Sequence, residues 1–297
     1  MNPETNRLAY LSPPHHGRQQ TPEELPVNRS PLHRARDRPK YSPQQHIPTL
    51  PTTLRMIRDH LELTRITAYE RHGISASYLS QLERGERIPS IEVLETIIAG
   101  YRLNPMQARH LRELRLPAEV LAPVDKLRQY VSSNVGLINH IQDLEERGVL
   151  AAAVDPMWNV LACNESFRSA LPGLDETDSI PRWLFNPIAQ TVLVEWHREA
   201  AHSVATIKAV LGRYRGSQQA HDLIRHLRRN KDFQRLWARG IDVAYGRDTN
   251  DLIHGRDPVT HKLASYRLSI ADVTQSQNIL LITAIRKPYS GPHPTDR

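Results

Sequence analysis

The sequence predicts two folded domains in tandem: an all-α bundle of short helices, followed by an α+β domain built on an antiparallel sheet. Three observations carry this reading. Residues 53–115 repeat apolar side chains at helical spacing between cap residues and glycines. From Val149 the pattern changes to short β-rich runs, VLAAAVD and MWNVLACN, which turn at Asp155 and Pro156. A helical middle, 187–238, then separates these runs from two later ones, HKLASYRLSI and NILLITAI. Strands first, helices in the middle and strands last point to an antiparallel sheet. The boundaries that follow are a tail at 1–51, a bundle at 52–116, a connecting helix at 117–147, the α+β domain at 148–288 and a short tail at 289–297.

The tail 1–51 is rich in proline, arginine and glutamine and poor in large apolar side chains, so it cannot bury enough surface to offset chain ordering. Three roles fit it: a basic arm using Arg29, Arg34, Arg36, Arg38 and Lys40 near phosphates, an inert extension, or a start assigned too early. Structure is expected to begin at Thr53, with Leu54, Ile57, Leu61 and Leu63 as the apolar side of a first helix. Thr64 can cap a second, RITAYERH, which stops at Gly73, a residue free to take the left-handed turn. Ser75 caps a third helix and Gly85 closes it. Pro89 and Ser90 launch a fourth, with Ile91, Leu94, Ile97 and Ile98 on one face, and Asn104-Pro105 opens a fifth. The segment 124–148 reads as a connecting helix whose apolar side is Leu127, Val131, Leu137 and Ile141.

The third helix raises the functional question. Stepping about 100° per residue puts Leu79 and Leu82 on one side and Ala76, Ser77, Ser80, Gln81 and Arg84 on the other. A plainly solvated face would carry Lys and Glu pairs. This one is short and hydrogen-bonding, with a single charge at its end, and suits close approach to base edges, where Gln pairs with adenine. The chain is basic, with net charge +7 over 297 residues. That balance permits nucleic acid, an anionic membrane or acidic partners without choosing among them. One cysteine, Cys163, excludes an intrachain disulfide and a cysteine-based zinc site. The N-terminus lacks a signal-peptide core, and the longest apolar run, near 278–285, is too short to span a bilayer. A soluble cytoplasmic protein is expected, with no membrane partner.

With these residues in view, 53–115 resembles the xenobiotic-response-element (lambda repressor and Cro-like) helix-turn-helix family, through Gly73-Ile74-Ser75, SYLSQLERG at 77–85 and Pro89-Ser90. The second half, about 125–288, is similar to the ligand-binding domain of MmyB-like regulators, a PAS-like fold. DPMWNVLACN (155–164), PRWLFNP (181–187), EWHREAAHSVATIKAVLGRY (195–214) and FQRLWARGIDV (233–243) carry that likeness. The resemblance implies a DNA-binding transcriptional regulator in the nucleoid, bound as a homodimer to a two-fold duplex site, with the third helix in the major groove. By position, Ala76, Ser77, Ser80 and Gln81 would face bases, while Arg65, Ser75, Tyr78, Arg84 and Arg87 would touch phosphates. Tyr78 lies at the edge of the core and could equally pack. Tyr69 departs from the family, which usually has Ala there, so its ring must point sideways or push two helices apart.

The resemblance also implies a fatty-acyl-like ligand in the second domain and no other cofactor. Trp158, Leu161, Phe185, Trp196, Leu236, Trp237, Tyr266 and Ile282 would line its cavity; for the aromatics, plain core packing is the other reading. Histidines do not assemble a metal site: His15-His16 fall in the tail, and His197 and His202 miss the pairing of zinc helices. No catalytic motif suggests an enzyme. The alternative to a ligand-responsive regulator is a DNA-tethered scaffold whose second domain binds a protein and no small molecule.

Overall fold

The computed structural model describes residues 46–273 and 278–292. Residues 1–45 of the expected tail, the turn expected at 274–277 and the end of the C-terminal tail at 293–297 lie outside the described residues. Chain order begins with a helical domain: α1 (Leu50–His60), α2 (Arg65–His72), α3 (Ala76–Arg84), α4 (Ile91–Gly100) and α5 (Pro105–Arg115). Each start has a local cause. Thr49, Thr64, Ser75, Ser90 and Asn104 all accept a backbone N–H of the first turn that would otherwise lack a partner. Gly73 takes φ +67° between α2 and α3, the left-handed conformation that turns the chain between them. Leu54, Leu79, Leu94, Ile97 and Leu111 meet in the centre with no exposure at all.

The first helix corrects the expected start at Thr53. It begins at Leu50, which is buried, and Thr49 closes a capping box with Thr52. Ile47, one turn earlier, packs against the core of the second domain. Residues 46–51 are therefore structured and do not belong to the tail. Tyr69 is resolved in favour of the sideways ring: it is 54% exposed, and the neighbouring Ala68, fully buried, fills the close approach instead.

The connecting segment is two helices, α6 (Val124–Ser133) and α7 (Val135–Glu146), where one was expected. Asn134 ends the first and caps the second by accepting Leu137 N–H at 3.1 Å. Its four apolar residues are buried as expected, but in the core of the second domain, where α6 packs on β2 (Val160–Cys163) and α7 on β1 (Leu150–Val154). After these strands come α8 (Glu165–Ala170), α9 (Ile180–Leu184), α10 (Ala189–Val192), α11 (Trp196–Arg213), α12 (Gln218–Leu227) and α13 (Lys231–Ala238). The chain then returns through β3 (Ile253–Arg256), β4 (Leu263–Asp272) and β5 (Leu280–Lys287). The five strands form one antiparallel sheet in the order β2-β1-β5-β4-β3. β3 is a strand that sequence reading missed. Among the described residues no helix is long and apolar enough to cross a membrane.

Two motifs of the second domain are explained by this frame. Asp155, fully buried, accepts Asn159 N–H and its side-chain amide at 2.9 and 2.8 Å, closing the β1–β2 turn. Asn164 accepts from Ala151 and Phe167 N–H and donates to Val149 carbonyl, so one amide ties β1 to the start of α8. Both are buried polar groups that the fold tolerates because they are fully partnered.

Candidate DNA-reading face and ligand cavity

On α3 the residues expected to read bases lie on the side away from the core. Leu79 and Leu82 are buried; Ser77 is exposed, and Ala76, Ser80 and Gln81 are half-exposed beside it. Ser75 serves as the N-cap through Tyr78 N–H at 3.2 Å. Tyr78 itself packs, half-buried, against the bundle core.

The proposed phosphate contacts differ among themselves. Arg87 is exposed. Arg84 folds back along the helix, donating to Ser80 Oγ at 2.7 Å and to Glu86 at 2.5 and 2.9 Å, so its charge is already answered in the unbound protein. Arg65 is more firmly committed. With Arg58 it clamps Glu83, whose side chain is 1% exposed: Arg58 Nε lies 2.5 Å and Arg65 Nε 2.8 Å from its carboxylate. Glu83 thereby fixes α1, α2 and α3 to one another. Sequence reading passed it over, although an acid beside Leu82 on the inner side of the helix was the available signal.

In the second domain a cavity of about 610 Å³ opens between the sheet and its helices. Leu268, Ile270, Ile282 and Ala284 alternate onto it from β4 and β5, with Tyr266 and Leu150 in the same layer. Facing them stand Phe167 and Leu171 near α8, Ile180, Trp183 and Leu184 from α9, and Val192 and Leu193 from the α10 region. Trp158 joins the wall from a left-handed backbone at φ +63°, a conformation a bulky residue adopts only under local constraint.

Three of the eight expected lining residues are there: Trp158, Tyr266 and Ile282. Five are not, and the reason is packing. Phe185, Trp196 and Phe233 meet edge to face, at 6.1 and 5.3 Å between ring centres, and Trp237 tilts against Phe233 at 5.3 Å. Leu236 is buried in the core of the second domain, and Leu161, half-buried on β2, packs against that core. Phe185, Trp196 and Trp237 are thus placed in the packed core of the domain.

The polar part of the wall went unpredicted. Glu199, His202, Ser203 and Thr206 present a stripe from α11, and Arg247 joins them from the chain after α13. The Glu199 and Arg247 side chains are both 6% exposed and ion-paired, with Arg198 and Asp251 completing the network. Burial, helped by Asp251, pushes the Glu199 carboxyl up against the pull of Arg247 and Arg198; burial, helped by the same two arginines, pushes the His202 imidazole down, towards its neutral form. Ser203 and His202 thus offer uncharged hydrogen-bonding groups beside a neutralised ion pair, in an otherwise apolar chamber. The i, i+3, i+4, i+7 spacing on α11 was legible in EWHREAAHSVATIK; the partner Arg247 had no local signal.

Against known proteins, residues 50–111 match the family model of a helix-turn-helix domain. Residues 145–285 match that of the MmyB-like transcription regulator ligand binding domain. No curated protein matches the chain.

Proposed function

We infer, from a chain that joins a helix-turn-helix domain to an MmyB-like ligand-binding domain, a DNA-binding transcription regulator whose affinity for its site is set by an apolar ligand. The observation that carries the ligand half is the cavity, whose volume of about 610 Å³ is in the range of small-molecule sites. Its lining suits a fatty-acyl-like chain, with Ser203, His202 and Tyr266 as polar anchors. Ala76, Ser77, Ser80 and Gln81 read bases, and Arg87 is the phosphate contact that needs no rearrangement. Arg84 must leave Glu86 to make one. Arg65 acts mainly through Glu83, positioning the reading helix. Ser75, as N-cap, presents the start of that helix to the backbone of the duplex.

A single short recognition helix reads too few bases for a genomic address, so the protein acts as a homodimer on duplex DNA. The scaffold alternative requires a second domain closed throughout, and the cavity argues against it. Organic extraction of the purified full-length protein, followed by mass spectrometry, tests the reading. A stoichiometric apolar molecule is expected. A domain that neither retains nor takes up any such molecule would return the scaffold reading to first place.

A further inference from the structure

The helical bundle and the sheet domain meet along α5 and α11. The contact is close: a Cβ on Gly212 would lie 2.6 Å from the His110 ring and 3.0 Å from Leu114. Arg213 donates to Glu119 at 2.6 Å, and Arg215 to Leu116 carbonyl, along the same seam. Two rigid helices in this contact have little room to slide. A second connection runs beside it, without regular secondary structure. Gly240 carbonyl accepts from buried Lys208 at 2.6 Å. Ile241 packs into the core of the helical bundle, and Ala244 N–H donates to Ala205 carbonyl of α11 at 3.2 Å. Tyr245 then reaches α5: its hydroxyl donates to Glu113 at 2.6 Å, and its ring lies 3.8 Å beneath the Arg109 guanidinium. The next two residues, Gly246 and Arg247, are cavity wall.

We propose that this strap, residues 240–247, latched to α5 through Tyr245, is the element that reports occupancy of the cavity to the helix-turn-helix domain. The inference rests on the ligand reading above. A ligand acts on a distant site only by favouring one of two arrangements. The strap is the element that touches cavity and α5 within three consecutive residues, and no ladder of helical or sheet hydrogen bonds holds it in place. The covalent link through α6 and α7 is less suited, because its apolar side is locked into the core of the sheet domain and moves with it. Tyr245 is a positioning residue here. It touches neither ligand nor DNA.

The test uses the full chain, a duplex selected from a random library, and tetradecanoic acid as the probe ligand, with its binding read by displacement of a fluorescent apolar dye. In the unmodified protein the acid is expected to change duplex affinity by about 5–150-fold. Tyr245→Phe keeps the ring under Arg109 and removes the hydroxyl that bonds Glu113 at 2.6 Å and approaches His110 Nδ1 at 3.5 Å, both on α5. It should bind the acid unchanged while the change in duplex affinity shrinks to about twofold or less. A Tyr245→Phe protein that keeps both dye displacement and the full change in affinity overturns the strap. Failure of the ligand reading looks different: the acid displaces no dye from the unmodified protein. In that case Leu268→Trp, which fills the cavity from β4, serves as the occupant. Hydrogen exchange along α5 should differ between Leu268→Trp and the unmodified chain, and should cease to differ once Tyr245→Phe is added. Identical α5 exchange in the first pair rejects the proposal.

Discussion

At the scale of single residues, the proposed reading face and the packed side of α3 can be tested separately. Gln81 has no role in the core, so Gln81→Ala should leave the unfolding midpoint where it is and weaken the preferred duplex by about 1–3 kcal/mol, relaxing one base position. Repeating the site selection with the variant checks this; an unchanged preference would mean the reading face is misassigned. Glu83 is the reverse case. Glu83→Ala takes the bidentate partner from the buried Arg58, which keeps Asp59 and the Leu63 carbonyl, and should cost about 1–3 kcal/mol in chemical denaturation, whatever its effect on DNA. His110 makes a third, pH-dependent prediction. It is 3% exposed, and burial together with Lys208 and Arg215 holds its pKa down to about 4 against 6.5 in the unfolded chain. The neutral ring is the folded form, so its stability is fully present above pH 6.5. As pH falls from there the unfolded chain takes up the proton first, and about 3 kcal/mol is lost by the time the folded pKa is reached. Urea melts across that range should show the loss, and His110→Asn should flatten it. Which side of α3 is exposed was legible from residue type and spacing, because helical geometry alone separates Ser77 and Gln81 from the buried Leu79 and Leu82. Glu83 left one sign, an acid on the inner side of α3, but its partners Arg58 and Arg65 lie on other helices; Arg247 left none, since its buried partner Glu199 lies far back in the chain, on α11.

Elements with strong local signals were the ones that sequence placed well. Thr64, Ser75, Ser90 and Asn104 each cap the helix expected of them, because a cap is chemistry between neighbours. The errors came where a weak local signal met a tertiary requirement. β3 reads as a loop because it is four residues long and contains Gly255, yet pairing with β4 makes it a strand. The break at Asn134 was visible as Ser-Ser-Asn before a new apolar run, but the run itself looked continuous. Beginning the first helix at Thr53 overlooked Thr49 and Leu50, and this changes the truncation that tests the tail. Removing residues 1–45 should leave the unfolding midpoint nearly unchanged. Removing 1–50 deletes both the capping Thr49 and the buried Leu50, and should cost about 2–4 kcal/mol from cap and burial together. Equal midpoints for the two truncations would show that the α1 cap carries no weight.

On the scale of the whole molecule, the family likeness foretold the order of the two domains but not how the second is built inside. Phe185, Trp196 and Trp237, expected to line a cavity, pack with Phe233 in the core, while Trp158 and Tyr266 are cavity wall. The cavity lies elsewhere, between the sheet and the short helices, with a polar stripe from α11 and Arg247 in its wall. The central claim is that one chain binds duplex DNA and an apolar ligand, and that each event changes the other. Fluorescence anisotropy of a selected, labelled duplex, titrated with full-length protein at fixed salt with and without saturating ligand, tests it most directly. The account predicts two parallel curves displaced by about 5–150-fold in protein concentration, both shifting together to weaker binding as salt rises. Superimposable curves, with the ligand shown to be bound, would contradict it.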